Sequence, residues 1–577
     1  MVSPLAAALL EREASAQSRP TSATPAAALI VPAGPQDPPP QSLPLAPQLK
    51  GSRPRSNPNV LPPAATVLPP DLRLLQAPLP LALPNKPSQV SIRELRPLGL
   101  VDSLTLAEVN NPNLKALAVQ VLEAQSALRA QISLWYPQIT LRAGSFPSYT
   151  GGEQYSNGQT GTGQERGLTS SSIWNMGADL EASWALISPG RNPQIAAARD
   201  QFEQAKNNYL IGLRDLRLQV STAYFDLQQA DEQVRIGQES VRSSQVSLRD
   251  ARARFQAGVA TKLEVLQAET QLARDQQLLT NALYGAVTGS GQPGQSIARR
   301  TLAALLSLPQ DVTPTAKDAS RVIGTWLPTL QESIVAAYAF REELDQLILD
   351  ISVANSNANA ELAKVQPLLN IVNTLSGGRT SGYEFIDQNQ AVPNQLSWRV
   401  DNTIGLNVRW NLFDGGGSQA LYRRQKQIAE EKRFRFADRR NVIREEVERS
   451  FYELEANNRN ITTTSREVLS ARESLRLARL RFQAGVTTQR EVVDTQRDLT
   501  NAEVRYSNSI ADYNKGLASL QRRTGLDQIS ICPAPSLPPN KPVVAGATDV
   551  PVEVQPLVPA CQAKFRPSQA PSPSLAP

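Results

Sequence analysis

The chain is written twice. Arg254-Phe255-Gln256-Ala257-Gly258-Val259 returns as Arg481-Phe482-Gln483-Ala484-Gly485-Val486, 227 positions later, and repetition at a fixed offset constrains a fold more than any local pattern. Trp184-Ala185-Leu186 returns as Trp410-Asn411-Leu412, Tyr224-Phe225-Asp226-Leu227 as Phe451-Tyr452-Glu453-Leu454, and the pair Leu114 and Pro137 as Leu344 and Pro367. The halves run over about 102 to 308 and 329 to 526.

Each half opens with a helical pattern, at about 104 to 134 and 329 to 365, that stops at a proline. An extended segment follows (138 to 145; 367 to 375), then a polar loop rich in Gly, Ser, Asn and Gln (147 to 172; 376 to 399), then a second extended segment. In the second copy of that last segment Ile404, Leu406, Val408, Trp410 and Leu412 alternate with Gly405, Asn407, Arg409 and Asn411. In the first, Met176, Leu180, Ala182, Trp184 and Leu186 alternate with Asp179, Glu181 and Ser183. One face is greasy and the other wet, and about ten residues suit a tilted strand crossing a bilayer. Trp174, Trp184, Trp398 and Trp410 fit either an aromatic girdle or ordinary sheet packing.

After a Gly/Pro turn (Ser188-Pro189-Gly190; Asp414-Gly415-Gly416-Gly417) each half enters a long heptad run. Its inward positions are Leu213, Leu216, Val220, Ala223, Leu227, Ala230, Val234, Gly237, Val241, Ser244, Leu248, Ala251 and Phe255. The second copy offers Ile443, Val447, Leu454, Ile461, Val468, Ala471, Leu475, Ala478 and Phe482. A helix over 191 to 255 is roughly 100 Å long and must be supported along its length. Gly258 and Gly485 end these helices, Thr261 or Thr487 can cap the next, and return helices are predicted over 262 to 284 and 488 to 522, the first interrupted by the Gly-rich insert 285 to 295.

Composition removes other function classes. Of the 44 prolines, 21 lie in residues 1 to 100 and 12 in 533 to 577, so the tails read as linker and the middle as the fold. There is no histidine, the commonest general base and metal ligand, and no nucleophile, base and oxyanion constellation, so no cofactor, metal or enzymatic activity is expected. Net charge of +6 comes from intermingled acids and bases, which does not favour nucleic acid. The run Arg423, Arg424, Lys426, Lys432, Arg433, Arg435, Arg439 and Arg440 reads as a solvated helical face more readily than as an anion site, and Asp414-Gly415-Gly416-Gly417 lacks the Lys-Ser/Thr of a phosphate loop. Cys532 and Cys561 suggest a loop-closing disulfide in an oxidising compartment, two separate thiols being the other reading. No stretch of 18 apolar residues occurs, and Leu5 to Leu10 is short for an export signal.

Two hairpins give four strands, and an open four-stranded sheet cannot sit in lipid because its edge amides and carbonyls lack partners. Transmembrane strands therefore require further chains to close a shared barrel.

The twofold repeat, the helix-strand-strand-helix-helix order and the two R-F-Q-A-G-V turns make residues 102 to 526 resemble the outer-membrane efflux protein (TolC) family. The resemblance implies a mainly α fold with a membrane β-barrel: a homotrimer whose twelve-stranded outer-membrane barrel continues as a twelve-helix α-barrel across the periplasm. It implies passive conduction of substrates, in efflux or type I secretion, from an inner-membrane pump and a periplasmic adaptor. The family's periplasmic tip and adaptor contact match Arg254, Phe255, Gly258, Val259 and Thr261, and Arg481, Phe482, Gly485, Val486 and Thr488. Its acidic constriction matches Glu491 and Asp494, i and i+3 on one helix face, with Glu264 the acid that helps shut the tip. The tyrosine and arginine of the family's latch align with Phe482 and Thr487, which cannot make the same bonds. A cytosolic or periplasmic coiled-coil scaffold would explain the heptads but not the alternating hairpins.

Overall fold

A computed structural model describes residues 62–531, apart from 93, 161–162, 286–292, 388–389 and 528. Strand β1 (Glu94–Leu98) leads into α1 (Leu100–Asn110), α2 (Pro112–Ile132), β2 (Gln138–Thr160), β3 (Gly163–Ile187), α3 (Arg191–Gln256), α4 (Lys262–Tyr284) and α5 (Gln295–Leu306). After β4 (Val312–Ala316) and β5 (Gly324–Trp326) the order recurs as α6 (Leu330–Phe340), α7 (Glu342–Ala363), β6 (Leu368–Asp387), β7 (Gln390–Arg409), α8 (Gly417–Gln483) and α9 (Gln489–Thr524), closing with β8 (Ile529–Ile531). Two small sheets, β1 with β4 and β5 with β8, flank the helices. The disulfide expectation for Cys532 and Cys561 lies outside the described residues.

Three expectations are corrected. Each opening helix is two helices: Pro112 has no N–H to continue α1, and the Asn111 side chain accepts from the amides of Asn113 and Leu114 at 2.9 and 3.1 Å to start α2. The matching break falls at Arg341, whose extended backbone (φ −84°, ψ 120°) separates α6 from α7. The segments expected as polar loops are paired strand almost to their tips, with Gln138 opposite Ser183, Thr160 opposite Gly163 and Asp387 opposite Gln390. A ladder is made by backbone groups, so a Gly- and Ser-rich chain can still pair. Finally, the proline-rich segment is docked from residue 62 onward. Leu68, Leu72 and Leu75 are buried, Ala65 N–H donates to Glu108 at 2.6 Å, and Asn110 donates to the Leu75 carbonyl at 2.8 Å.

The main sheet is antiparallel in the order β2-β3-β6-β7, leaving β2 and β7 as its edges. One face carries Ile139, Leu141, Leu180, Trp184, Leu375, Ile404, Leu406 and Val408, all exposed. The other carries Arg142, Asp179, Glu181, Thr374, Ser376 and Asn407, with Arg142 and Glu181 ion-paired at 3.1 Å. Trp398, within β7, and Trp410, just past its end, bound the apolar row on that face. Their separation is about 40 Å along the strand, or roughly 30 Å of membrane depth at the tilt of barrel strands, close to the hydrocarbon thickness. The indoles at the helical end are anchored, Trp184 to the Trp135 carbonyl at 3.0 Å and Trp410 to that of Val365 at 3.1 Å. Exposed rings at both ends of an apolar band favour the girdle reading over sheet packing.

The helices α3 and α8 contain 66 and 67 residues and pair with α4 and α9. The seam reads largely as the heptads predict: Leu213, Val220, Leu227, Ser244 and Ala251 are buried in one hairpin, Ile443, Val447, Leu454, Val468 and Ala478 in the other. Phe255 is the exception, turned outward at 46% exposure. The break at Arg341 is held by buried charge. Arg341 and Arg522 each bond Glu343 at 2.9 Å, Arg522 bonds Asp215 at 2.6 Å, and Arg214 pairs with Glu342. These contacts join α3, α7 and α9.

Replacing Leu406 by Arg places a charge at mid-membrane depth, at a cost of about 2–4 kcal/mol, whereas Asn407→Arg adds one to the wet face. The first variant is expected to fail to accumulate in outer membranes and the second to accumulate normally; equal yields by immunoblot would contradict the facing. Burial would raise the Glu343 carboxyl, but the Arg341 hydrogen bonds and the charges of Arg341 and Arg522 outweigh it and hold it well below the usual range. Its stabilisation is present above the unfolded value of about 4.3 and lost as pH falls below it. Thermal melts should therefore drop in acid, and Glu343→Gln should be less stable at pH 7 with a flatter acid limb.

Candidate functional site at the helical turns

The two R-F-Q-A-G-V turns fold alike. Gly258 and Gly485 take φ of +74° and +75°, a left-handed conformation in which a Cβ is strained. The Val259 amide bonds the Arg254 carbonyl at 2.9 Å and Val486 that of Arg481 at 3.0 Å, while Gly258 and Gly485 bond Phe255 and Phe482, each at 3.0 Å. These are helix C-terminal caps closed by glycine. Thr261 then starts α4 in a capping box, its hydroxyl accepting from the Glu264 amide at 3.4 Å and the Glu264 carboxylate from the Thr261 amide at 3.4 Å. The second turn differs: Thr488 is the N-cap without a side-chain bond, and Thr487, predicted as the cap, gives its hydroxyl to Glu491.

The sequence pattern treats Arg254 and Arg481 as equivalent, yet the fold uses them differently. Arg481 stays within its hairpin and bonds Glu491 at 2.8 Å. Arg254 crosses to the other hairpin, where its guanidinium lies 4.2 Å from the Phe482 ring centroid and donates to the Phe482 carbonyl at 3.2 Å. Phe482 itself packs on Leu475, Ala478 and Val492. Phe482 has no hydroxyl to offer, but its ring face attracts a cation. That Arg254 meets Phe482 has no signature in the sequence, because it is set by how the hairpins face one another.

The acids sit where the motif places them, Glu491 and Asp494 on the first turns of α9, but neither is a bare carboxylate. Asp494 pairs with Arg497 at 3.2 Å and Arg490 at 3.7 Å, and Glu491 with Arg481. Glu264 serves its own turn, its carboxylate accepting from the Thr261 amide at 3.4 Å and the Thr261 hydroxyl at 3.3 Å. Above the turns the hairpins are stitched by Ser243 to Gln496 at 2.8 Å, Gln489 to Ser247 at 2.5 Å and Ser240 with Thr500 at 3.2 Å. The basic run on α8 is answered by acids: Arg433 with Glu430, Arg435 with Glu431, Lys432 with Asp350 and Arg439 with Glu446. This fits the solvated face.

The profile of the family described as outer membrane efflux protein matches residues 104–290 and 334–526, both copies of the repeat. The chain belongs to the outer membrane efflux protein family. It is 23% identical over 440 residues to outer membrane protein TolC of Vibrio cholerae serotype O1, covering 74% of this chain and 90% of that one. Its fold resembles the outer-membrane channel OprN (TM-score 0.58, 18% identity, 80% of this chain and 99% of that one). It also resembles VceC of Vibrio cholerae (0.56, 16%, 74% and 96%) and the open state of MtrE of Neisseria gonorrhoeae (0.54, 16%, 80% and 98%). This efflux protein is accordingly an outer-membrane channel whose helical part extends into the periplasm.

In this efflux protein the Arg254–Phe482 contact is the cross-hairpin tie nearest the glycine turns among the contacts described. Replacing Arg254 by Ala should cost about 1–2 kcal/mol of local stability and speed hydrogen exchange of residues 482–488 about five- to thirtyfold. Unchanged exchange would mean that the stack carries no energy.

Proposed function

We propose that three copies of this chain close a twelve-stranded barrel, with α3, α4, α8 and α9 of each continuing the bore as a twelve-helix tunnel. The carrying observation is the four-stranded sheet with an apolar outer row and two edges, β2 and β7, that have no partner strand among the described residues. An edge in lipid leaves amides and carbonyls unsatisfied at several kcal/mol each, and pairing β7 of one copy with β2 of the next removes every edge. A soluble scaffold would leave the apolar row between Trp398 and Trp410 without an occupant.

The channel conducts passively and is no enzyme; energy is supplied by an inner-membrane pump, reached through a periplasmic adaptor. The adaptor's contact is the tip, where Phe255, Val259 and Val486 stand exposed around the glycine turns. An apolar patch on a channel's free end is suited to a protein partner. The constriction lies at Glu491 and Asp494, and its acids are balanced by Arg481, Arg490 and Arg497.

Reconstituted into a planar bilayer, the protein should give discrete conductance steps. Glu491→Gln with Asp494→Asn removes the acids paired with Arg481 and Arg490, leaves Arg497 only Asp498 at 4.0 Å, and should shift the reversal potential in a salt gradient toward anions. An unshifted potential would move the constriction elsewhere, and absence of any steps would contradict the channel.

A further inference from the structure

The charges of the main sheet are sorted by face, with one exception. From the row of Trp398 to the helical end, Arg142, Asp179, Glu181, Arg399, Asp401 and Arg409 all share the wet face, where Arg142 pairs with Glu181 and Arg399 with Asp401. Among the described residues of that stretch, Arg379 alone stands on the apolar face. It lies opposite Met176 on β3 and Trp398 on β7, on the row that ends the apolar band farthest from the helices. Its side chain is exposed and has no ion pair or hydrogen bond among the described residues. The next charge on that face, Glu153, is three rows farther out, about 20 Å along the strands.

Other donors stand beside it. Directly opposed residues of a sheet have Cβ atoms about 5 Å apart, so the Arg379 stem is flanked by Met176 and Trp398. The indoles at the helical end give their N–H groups to the Trp135 and Val365 carbonyls. Trp398, 78% exposed, makes no such bond among the described residues. Ser381, two residues on and on the same face, adds a hydroxyl.

The helical part extends into the periplasm, so this end of the band lies at the headgroup level of the outer leaflet. An arginine that would be costly at mid-membrane depth is tolerated there. A second copy of the chain is a poor partner for it, because β6 is an inner strand with β3 on one side and β7 on the other, and no further strand can add to it. What meets an outward charge at this depth is a lipid headgroup. A phosphate monoester can take two N–H groups of the guanidinium fork and still offer an oxygen to the indole and the hydroxyl.

We propose that Arg379, with the Trp398 indole and the Ser381 hydroxyl, binds the phosphate of an anionic lipid in the outer leaflet, one lipid per chain. The inference rests on the lipid-facing sheet of the proposed barrel.

The test is native mass spectrometry of the full-length protein released from nanodiscs of phosphatidylcholine with a minor share of phosphatidic acid of the same chains. The wild type should retain phosphatidic acid at least about tenfold above its share of the nanodisc. Arg379→Gln should bring retention down to that share, Arg399→Gln on the wet face should leave it unchanged, and inorganic phosphate added before release should not displace the lipid. Retention by Arg379→Gln equal to that of the wild type, an equal loss in Arg399→Gln, or displacement by inorganic phosphate would overturn the site. The same spectra count chains: trimers without phosphatidic acid would overturn the site alone, and single chains without it would overturn the barrel and the site together.

Discussion

Unpaired backbone at the edge of a sheet in lipid is the constraint on which the rest of this structure depends. In water the rims of β2 and β7 would be solvated; in hydrocarbon nothing replaces that solvation, and pairing with another copy is the remaining way to satisfy them. The apolar row from Trp398 to Trp410 suits hydrocarbon, and rims without a partner among the described residues are what the proposed shared barrel closes. The 66- and 67-residue helices inherit the same dependence, since helices of that length persist only with neighbours along them.

Duplication supplied the wall, and divergence between the copies supplied the chemistry. Both glycine turns use the same cap, yet Arg481 closes its own turn through Glu491 while Arg254 reaches the opposite hairpin and Phe482. The breaks at Asn111 and Arg341 show the same divergence. The first is held by Asn111, with Asn110 beside it gripping the docked proline-rich segment, the second by buried ion pairs among Arg341, Glu343 and Arg522. Because the copies share a backbone, each serves as a packing control for the other, and polar residues that only one of them carries stand out.

Features with a period were legible from the residues alone. Alternation along β7 and the three-four steps of Leu213 to Ala251 place the seam, the turns and the helix-proximal halves of the strands close to where they are observed. What was missed has no periodic signature. The distal ribbons pair through backbone, so their Gly-, Ser- and Asn-rich residues read as loop; Arg341 breaks a helix without a proline; and docking of Leu68, Leu72 and Leu75 depends on a groove that exists only after folding. At the turns the residues were found but their pairings were not, because which guanidinium meets which acid or ring is decided across hairpins far apart in sequence.

Counting the chains tests the shared barrel most directly. Native mass spectrometry of the full-length protein released from nanodiscs should give one species of three chains that survives mild activation. A single chain, stable and folded after release, would show that the sheet's edges need no neighbour and would contradict the account.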